Sequence, residues 1–132
     1  MQLFGIANKN YVPIPVILPS MTWQYAAPVN GISNSNAAVT IRAAQGVGFF
    51  NYITGIQLNS TVLSADTIFI IRDGAGTVLW RVNIPAAGIS NIRDAQFPMA
   101  LKTIANSKLE IVTLTAVTGN VYANVQGYTA SN

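Results

Sequence analysis

Apolar and polar side chains alternate along most of this chain, and the pattern is sharpest at 67–84, which reads TIFIIRD-GAG-TVLWRVNI. In the second run, Val78, Trp80, Val82 and Ile84 fall on one side, and Thr77, Leu79, Arg81 and Asn83 on the other. A period of two predicts a strand with one buried face. Asp73-Gly74 opens the intervening turn and Gly76 closes it, because glycine takes positive φ without steric cost and aspartate tolerates turn geometry. The first run, Ile68-Phe69-Ile70-Ile71, is apolar on both sides. Such a strand needs cover on both faces, from its own fold or from a partner chain.

The same reading predicts further strands at short, regular spacing. Residues 38–44 place Val39 and Ile41 on one face and Arg42 on the other. Residues 51–60 place Tyr52, Thr54, Ile56 and Leu58 together, with Gly55 marking a bulge or a close backbone approach. A weaker strand over 90–97 is stopped by Pro98. Residues 108–115 and 120–128 form a closing hairpin, with Val121, Ala123 and Val125 facing in and Tyr122, Asn124, Gln126 and Tyr128 facing out. Met21, Trp23 and Tyr25 share one face of a short strand over 21–25. The only helix candidate is 99–105, and it is short. Seven or eight strands separated by Gly, Pro and Asn turns predict an all-β chain, a single jelly-roll-like β-sandwich.

Residues 1–36 differ from the rest. They hold four of the six prolines and no acidic residue. Pro13, Pro15 and Pro19 lack the N–H donor and push their predecessors into extended backbone. The expected domains are therefore an extended Pro-rich N-terminal arm and loop over 1–36 and a β-sandwich over 37–132. An arm carrying Phe4, Tyr11, Ile14, Val16, Ile17 and Leu18 gains stability only by lying on a surface. That surface is its own body or a neighbouring subunit.

Composition sharpens this. The chain is 51% hydrophobic and 8% charged, against a usual charged share of about 25%. A deficit of that size is expected when neighbouring subunits cover much of the surface. The basic residues, among them Lys9, Arg93 and Lys102, are never adjacent, so no tract grips a phosphate backbone, and no nucleic-acid partner is expected. There is no Cys and no His, which removes thiolate and imidazole nucleophile systems and the usual zinc ligands. Asp66, Asp73, Asp94 and Glu110 read as strand and turn chemistry rather than as a catalytic pair. The expectation is no enzyme, no cofactor and no metal. No apolar run reaches the roughly 18 residues of a membrane helix, and residues 1–20 lack a basic signal-peptide start. A protein made and assembled inside the cell, with no membrane partner, is expected.

From 49 to 129 the chain runs FFNYITGIQLNS, an IRDGAGTVLWRVNIPAAG hairpin, FPMALKTIANSKLEI and VYANVQGYTA. This texture resembles the small head-decoration, or cement, proteins of tailed bacteriophages. Those carry a YITGIQL-like strand, a DG…WR hairpin, a P…G turn and a VNVQGY-like terminus. The resemblance covers about the last 80 residues and implies a non-enzymatic, capsid-stabilising β-sandwich on the virion surface. It also implies a homo-oligomer, often a trimer, bound to the major capsid protein across capsomer junctions. On that reading the arm residues above and the outward residues Tyr122, Gln126 and Tyr128 are the interface. The alternative is a phage tail, fibre or host-surface carbohydrate-binding module that stacks sugars on exposed aromatics.

Overall fold

The computed structural model describes residues 21–32 and 36–131. The arm residues Phe4, Tyr11, Ile14, Val16, Ile17 and Leu18 lie outside these. Eight strands follow in chain order: β1 (Met21–Tyr25), β2 (Val39–Arg42), β3 (Phe49–Ser60), β4 (Thr67–Asp73), β5 (Val78–Ile84), β6 (Arg93–Lys102), β7 (Leu109–Thr113) and β8 (Val121–Ser131). Among the described residues there is no helix. Residues Met21–Tyr25 and the buried Ile32 belong to the sandwich, although both lie on the arm side of the boundary expected at 36/37.

The first strand pairs with the last, the second with the next to last, and so on inward to β4 and β5, all antiparallel. The chain is thus one long hairpin whose tip is the 67–84 stretch. Rolling it up sets β8 beside β3 and β7 beside β4. The result is two four-stranded sheets, β1-β8-β3-β6 and β2-β7-β4-β5, the arrangement of a jelly roll. The tip is held by Asp73, whose Oδ1 accepts hydrogen bonds from the Ala75 and Thr77 N–H groups, each 3.0 Å. Gly76 follows at φ 90°, backbone that glycine adopts without strain.

Ile53, Ile56, Leu58, Phe69, Ile71, Ile111 and Val125 are fully buried between the sheets. Each contributes about 1.5–3 kcal/mol by leaving water. A tryptophan closes each open side. Trp80 of β5 meets Phe69 and Phe97 edge to face, at 6.2 and 6.1 Å between centroids. Across the sandwich, Trp23 of β1 lies under the Arg42 guanidinium, 5.8 Å away. Polar groups buried near this side are joined in a chain. Arg42 donates to Thr129, Thr129 to Asn51, and Asn51 to the Ala43 and Ser107 carbonyls, which offsets their loss of water.

Bulges change four details of the expected pattern. In β5 the register shifts so that Val78 pairs with Arg72 and is exposed, while Leu79 packs on the core; Val78 therefore does not share a face with Trp80. In β3 a bulge at Thr54 turns Tyr52 outward and keeps Ile56 and Leu58 inside. In β2 a shift past Thr40 sets Arg42 opposite Leu109, on the side of the sandwich. Residues 99–102 of the helix candidate continue β6 instead, and 103–105 turn away from it: Phe97-Pro98-Met99-Ala100 loops out opposite Thr54 and the strand resumes to Lys102. An edge strand tolerates proline at such a bulge, since the missing N–H removes no ladder bond.

Candidate functional site

The outward face of β1-β8-β3-β6 gathers the sequence-predicted surface residues of the sandwich. Strand β8 lies between β1 and β3, so its outward row runs down the middle of the sheet. Its burial alternates residue by residue, with Tyr122, Asn124, Gln126 and Tyr128 half-buried and pointing out. At strand spacing, Tyr122 and Tyr128 stand about 20 Å apart along one row. The structure thus brings Tyr122, Gln126 and Tyr128 onto one surface.

Three further residues complete it. Tyr52 of β3 is the direct partner of Tyr128, and their rings stack at 4.5 Å between centroids and 9° between planes. Lys102 of β6 is the next residue across. Its Nζ lies 4.1 Å from the Phe50 ring centroid and 5.8 Å from that of Tyr52, close enough for cation–π attraction. Sequence reasoning placed Tyr52 on the side of Ile56 and so missed it. Gly55 was the available signal: a Cβ there would lie 2.9 Å from the Gln96 side chain, and the bulge beside it inverts the alternation.

The stacking direction fixes what this face offers. Neighbouring strands are about 4.8 Å apart, and the two ring centroids of these cross-strand partners are separated by nearly that distance. Their planes therefore stand upright on the sheet, turning a face of each ring to the other and presenting ring edges and phenol hydroxyls outward. Around them are amides and hydroxyls. Gln126 donates to Gln57 at 3.3 Å, and Thr54 donates to the Gln126 carbonyl at 3.2 Å. Asn124 accepts from the Ala27 N–H at 3.0 Å. Beside them is a shallow depression of about 490 Å³, lined by Thr22, Gln24, Thr54 and Gln126 with Trp23 and Gly127. Gly127 is required beneath it, because a Cβ would meet the Tyr52 carbonyl oxygen at 2.0 Å and the Trp23 ring at 2.5 Å.

The acidic side chains serve local structure. Asp66 accepts from the Ala86 N–H, Asp73 caps the tip, and Asp94 accepts from Gln96. Glu110 lies on the other sheet between Lys108, at 2.6 Å, and Arg72, at 3.0 Å. The Lys108 hydrogen bond, with Arg72 behind it, holds the Glu110 carboxyl below the usual carboxylate range against the opposing effect of burial.

No family model and no curated protein matches this chain. Among solved structures, a chain of "Structure of infectious bursal disease virus Gt strain" is 16% identical, with a TM-score of 0.23. The alignment covers 83% of this chain and 29% of that one. This chain spans less than a third of the neighbour's length, and the jelly roll is read from its own strand order.

Proposed function

We propose that the chain is a structural virion protein that decorates and stabilises a phage capsid, docking through the outward face of β1-β8-β3-β6. The upright Tyr52–Tyr128 pair carries the reading. A sugar-stacking platform needs a ring face laid open to solvent, whereas these two rings turn a face to each other and stand among hydroxyls and amides, with Lys102 beside them. Tyrosine edges and neutral amides suit a protein partner, whose backbone supplies both donors and acceptors. Strands β3 and β8 make the face about 35 Å long and four strands make it about 15 Å wide, a footprint of roughly 500 Å². One such contact is small for a stable complex. Repetition through an oligomer, a trimer by the sequence resemblance, multiplies it into firm attachment on a lattice.

The test is co-sedimentation with capsids assembled without this protein. The parent should bind, and Tyr122→Ala with Tyr128→Ala should weaken binding at least about tenfold, the loss of roughly 1.4 kcal/mol, while the circular-dichroism spectrum stays β-rich. Normal binding by that variant would move the contact elsewhere. Glycan binding without capsid binding would replace the proposal with the carbohydrate reading.

A further inference from the structure

We propose that a row of glutamine amides across β1-β8-β3-β6, led by Gln24 and Gln126, takes an uncharged, extended stretch of the partner's polypeptide backbone. The inference rests on the docking proposed for this face and names the chemistry of what docks. Register sets Gln24 of β1 opposite Gln126 of β8, Gln126 opposite Gly55 of β3, and Gly55 opposite Gln96 of β6. One row therefore crosses all four strands. Gly55 keeps it continuous, since a Cβ there would lie 2.9 Å from both Nε2 and Oε1 of Gln96, whose amide closes over the gap. The next row adds Gln57 opposite Asn124. These amides have bonds to spare. Gln126 donates to Gln57 at 3.3 Å, and Gln96 donates to Asp94 at 2.8 Å. The exposed Gln24 side chain bonds to no described residue. A primary amide carries two N–H donors and an acceptor oxygen, so one donor and the oxygen together match the C=O and N–H of a main chain.

Shape and charge narrow the occupant. The depression of about 490 Å³ opens over the β1–β8 half of the row, where Thr22 and Thr54 stand beside the two glutamines. The row spans about 15 Å from β1 to β6, the length of roughly four extended residues. The charged residues of this sheet's strands, Arg93, Asp94 and Lys102, all stand on β6, and β1, β8 and β3 carry none. Strand β6 lies two strands from β8, about 10 Å. A carboxylate or ammonium set down on Gln24 and Gln126 would lose water and gain no counter-charge there. A backbone amide would exchange its water for the glutamines at little cost. The row thus admits main chain and neutral side chains and turns charged ones away.

The test is co-sedimentation of the full chain with capsids assembled without it, over a range of NaCl. Gln24→Ala with Gln126→Ala should bind at least about tenfold more weakly than the parent and melt as the parent does. Gln24→Glu, equal in size to glutamine but charged, should bind about threefold more weakly still than Gln24→Ala alone. Parent binding should change by less than about threefold between roughly 50 and 500 mM NaCl, because no ion pair that salt could screen holds the contact. Normal binding by the double variant, beside weakened binding by Tyr122→Ala with Tyr128→Ala, overturns this inference and leaves the docking face standing. Equal or tighter binding by Gln24→Glu, or parent binding that collapses with salt, overturns the exclusion of charge and the inference with it. A parent that binds no capsid removes the docking face and the row together. Glycan binding that the double variant loses gives the row to a sugar and overturns the backbone assignment. If the double variant does not fold, Gln24→Ala alone, at the exposed edge, reads the same outcomes at about threefold.

Discussion

The two outward faces of the sandwich are built on the same backbone plan and differ in what they ask of their surroundings. On β1-β8-β3-β6, the outward row of the central strand is Tyr, Asn, Gln and Tyr, half-buried by its own neighbours. On β2-β7-β4-β5, the central outward pair is Ile70 and Val112, nearly inaccessible, beside an ion-paired Glu110. A face of amides and upright rings is stable in water and still able to exchange water for a partner. A face of aliphatic side chains is stable only while covered. One sheet turns half-buried polar side chains outward, and the other keeps its outward aliphatic pair out of water.

Substitutions at matched positions test that contrast. Ile70→Asp puts a carboxylate where an aliphatic group is buried and should cost about 3–5 kcal/mol. Gln126→Asp, its counterpart on the other face, should stay within about 0.5 kcal/mol. Equal melting temperatures for the two by calorimetry would erase the distinction. Gly127→Ala comes next, at about 1–3 kcal/mol, because the added methyl must displace Trp23 and the strand below the tyrosine pair; chemical denaturation measures it. Glu110→Gln should cost about 1–2 kcal/mol at neutral pH, moderated because Arg72 and Lys108 keep access to water. The Glu110 carboxyl is held low in the folded chain. Its contribution is therefore complete above the ordinary carboxylate range, about pH 4.3, and is lost as pH falls below that through the folded value. A melting-versus-pH curve should drop more steeply for the parent than for Glu110→Gln in that acid window, and parallel curves would refute the assignment. Tyr128→Ala should cost about 0.5–1.5 kcal/mol for the lost ring pair. A loss beyond 3 kcal/mol in the same denaturation assay would make Tyr128 part of the scaffold rather than of an exchangeable surface.

The sequence carried the all-β sandwich and its strands well, but 108–115 and 120–128 cross between the two sheets instead of forming the expected closing hairpin, and the local face assignments were less legible. Strict alternation over Val121, Ala123 and Val125 placed Tyr122, Gln126 and Tyr128 outward, and the Asp73-Gly74 turn set the tip of the fold. Both signals are local, in period and in turn chemistry. Tyr52, Val78 and Arg42 were put on the wrong side because each lies next to a bulge, and one unpaired residue reverses every assignment beyond it. The run 99–105 is the one helix candidate because Pro98 reads as the end of a strand, whereas this edge strand loops out and resumes to Lys102. The Tyr52–Tyr128 stack had no signature in sequence at all: it needs the pairing of two strands about 70 residues apart.

The doubled-hairpin topology also sets a timetable for synthesis. Of these eight strands, β8 is made last, and it is the one that both β1 and β3 need as a neighbour. Until it appears, the sheet that bears the tyrosine face lacks its centre, while the tip hairpin β4–β5 is free to form. At about 5–20 residues per second, the early strands wait on the order of ten seconds with open edges that invite pairing with other chains. A chain that stops short of Val121 would keep those edges. Completion of β8 is thus the step that pairs the open edges of β1 and β3.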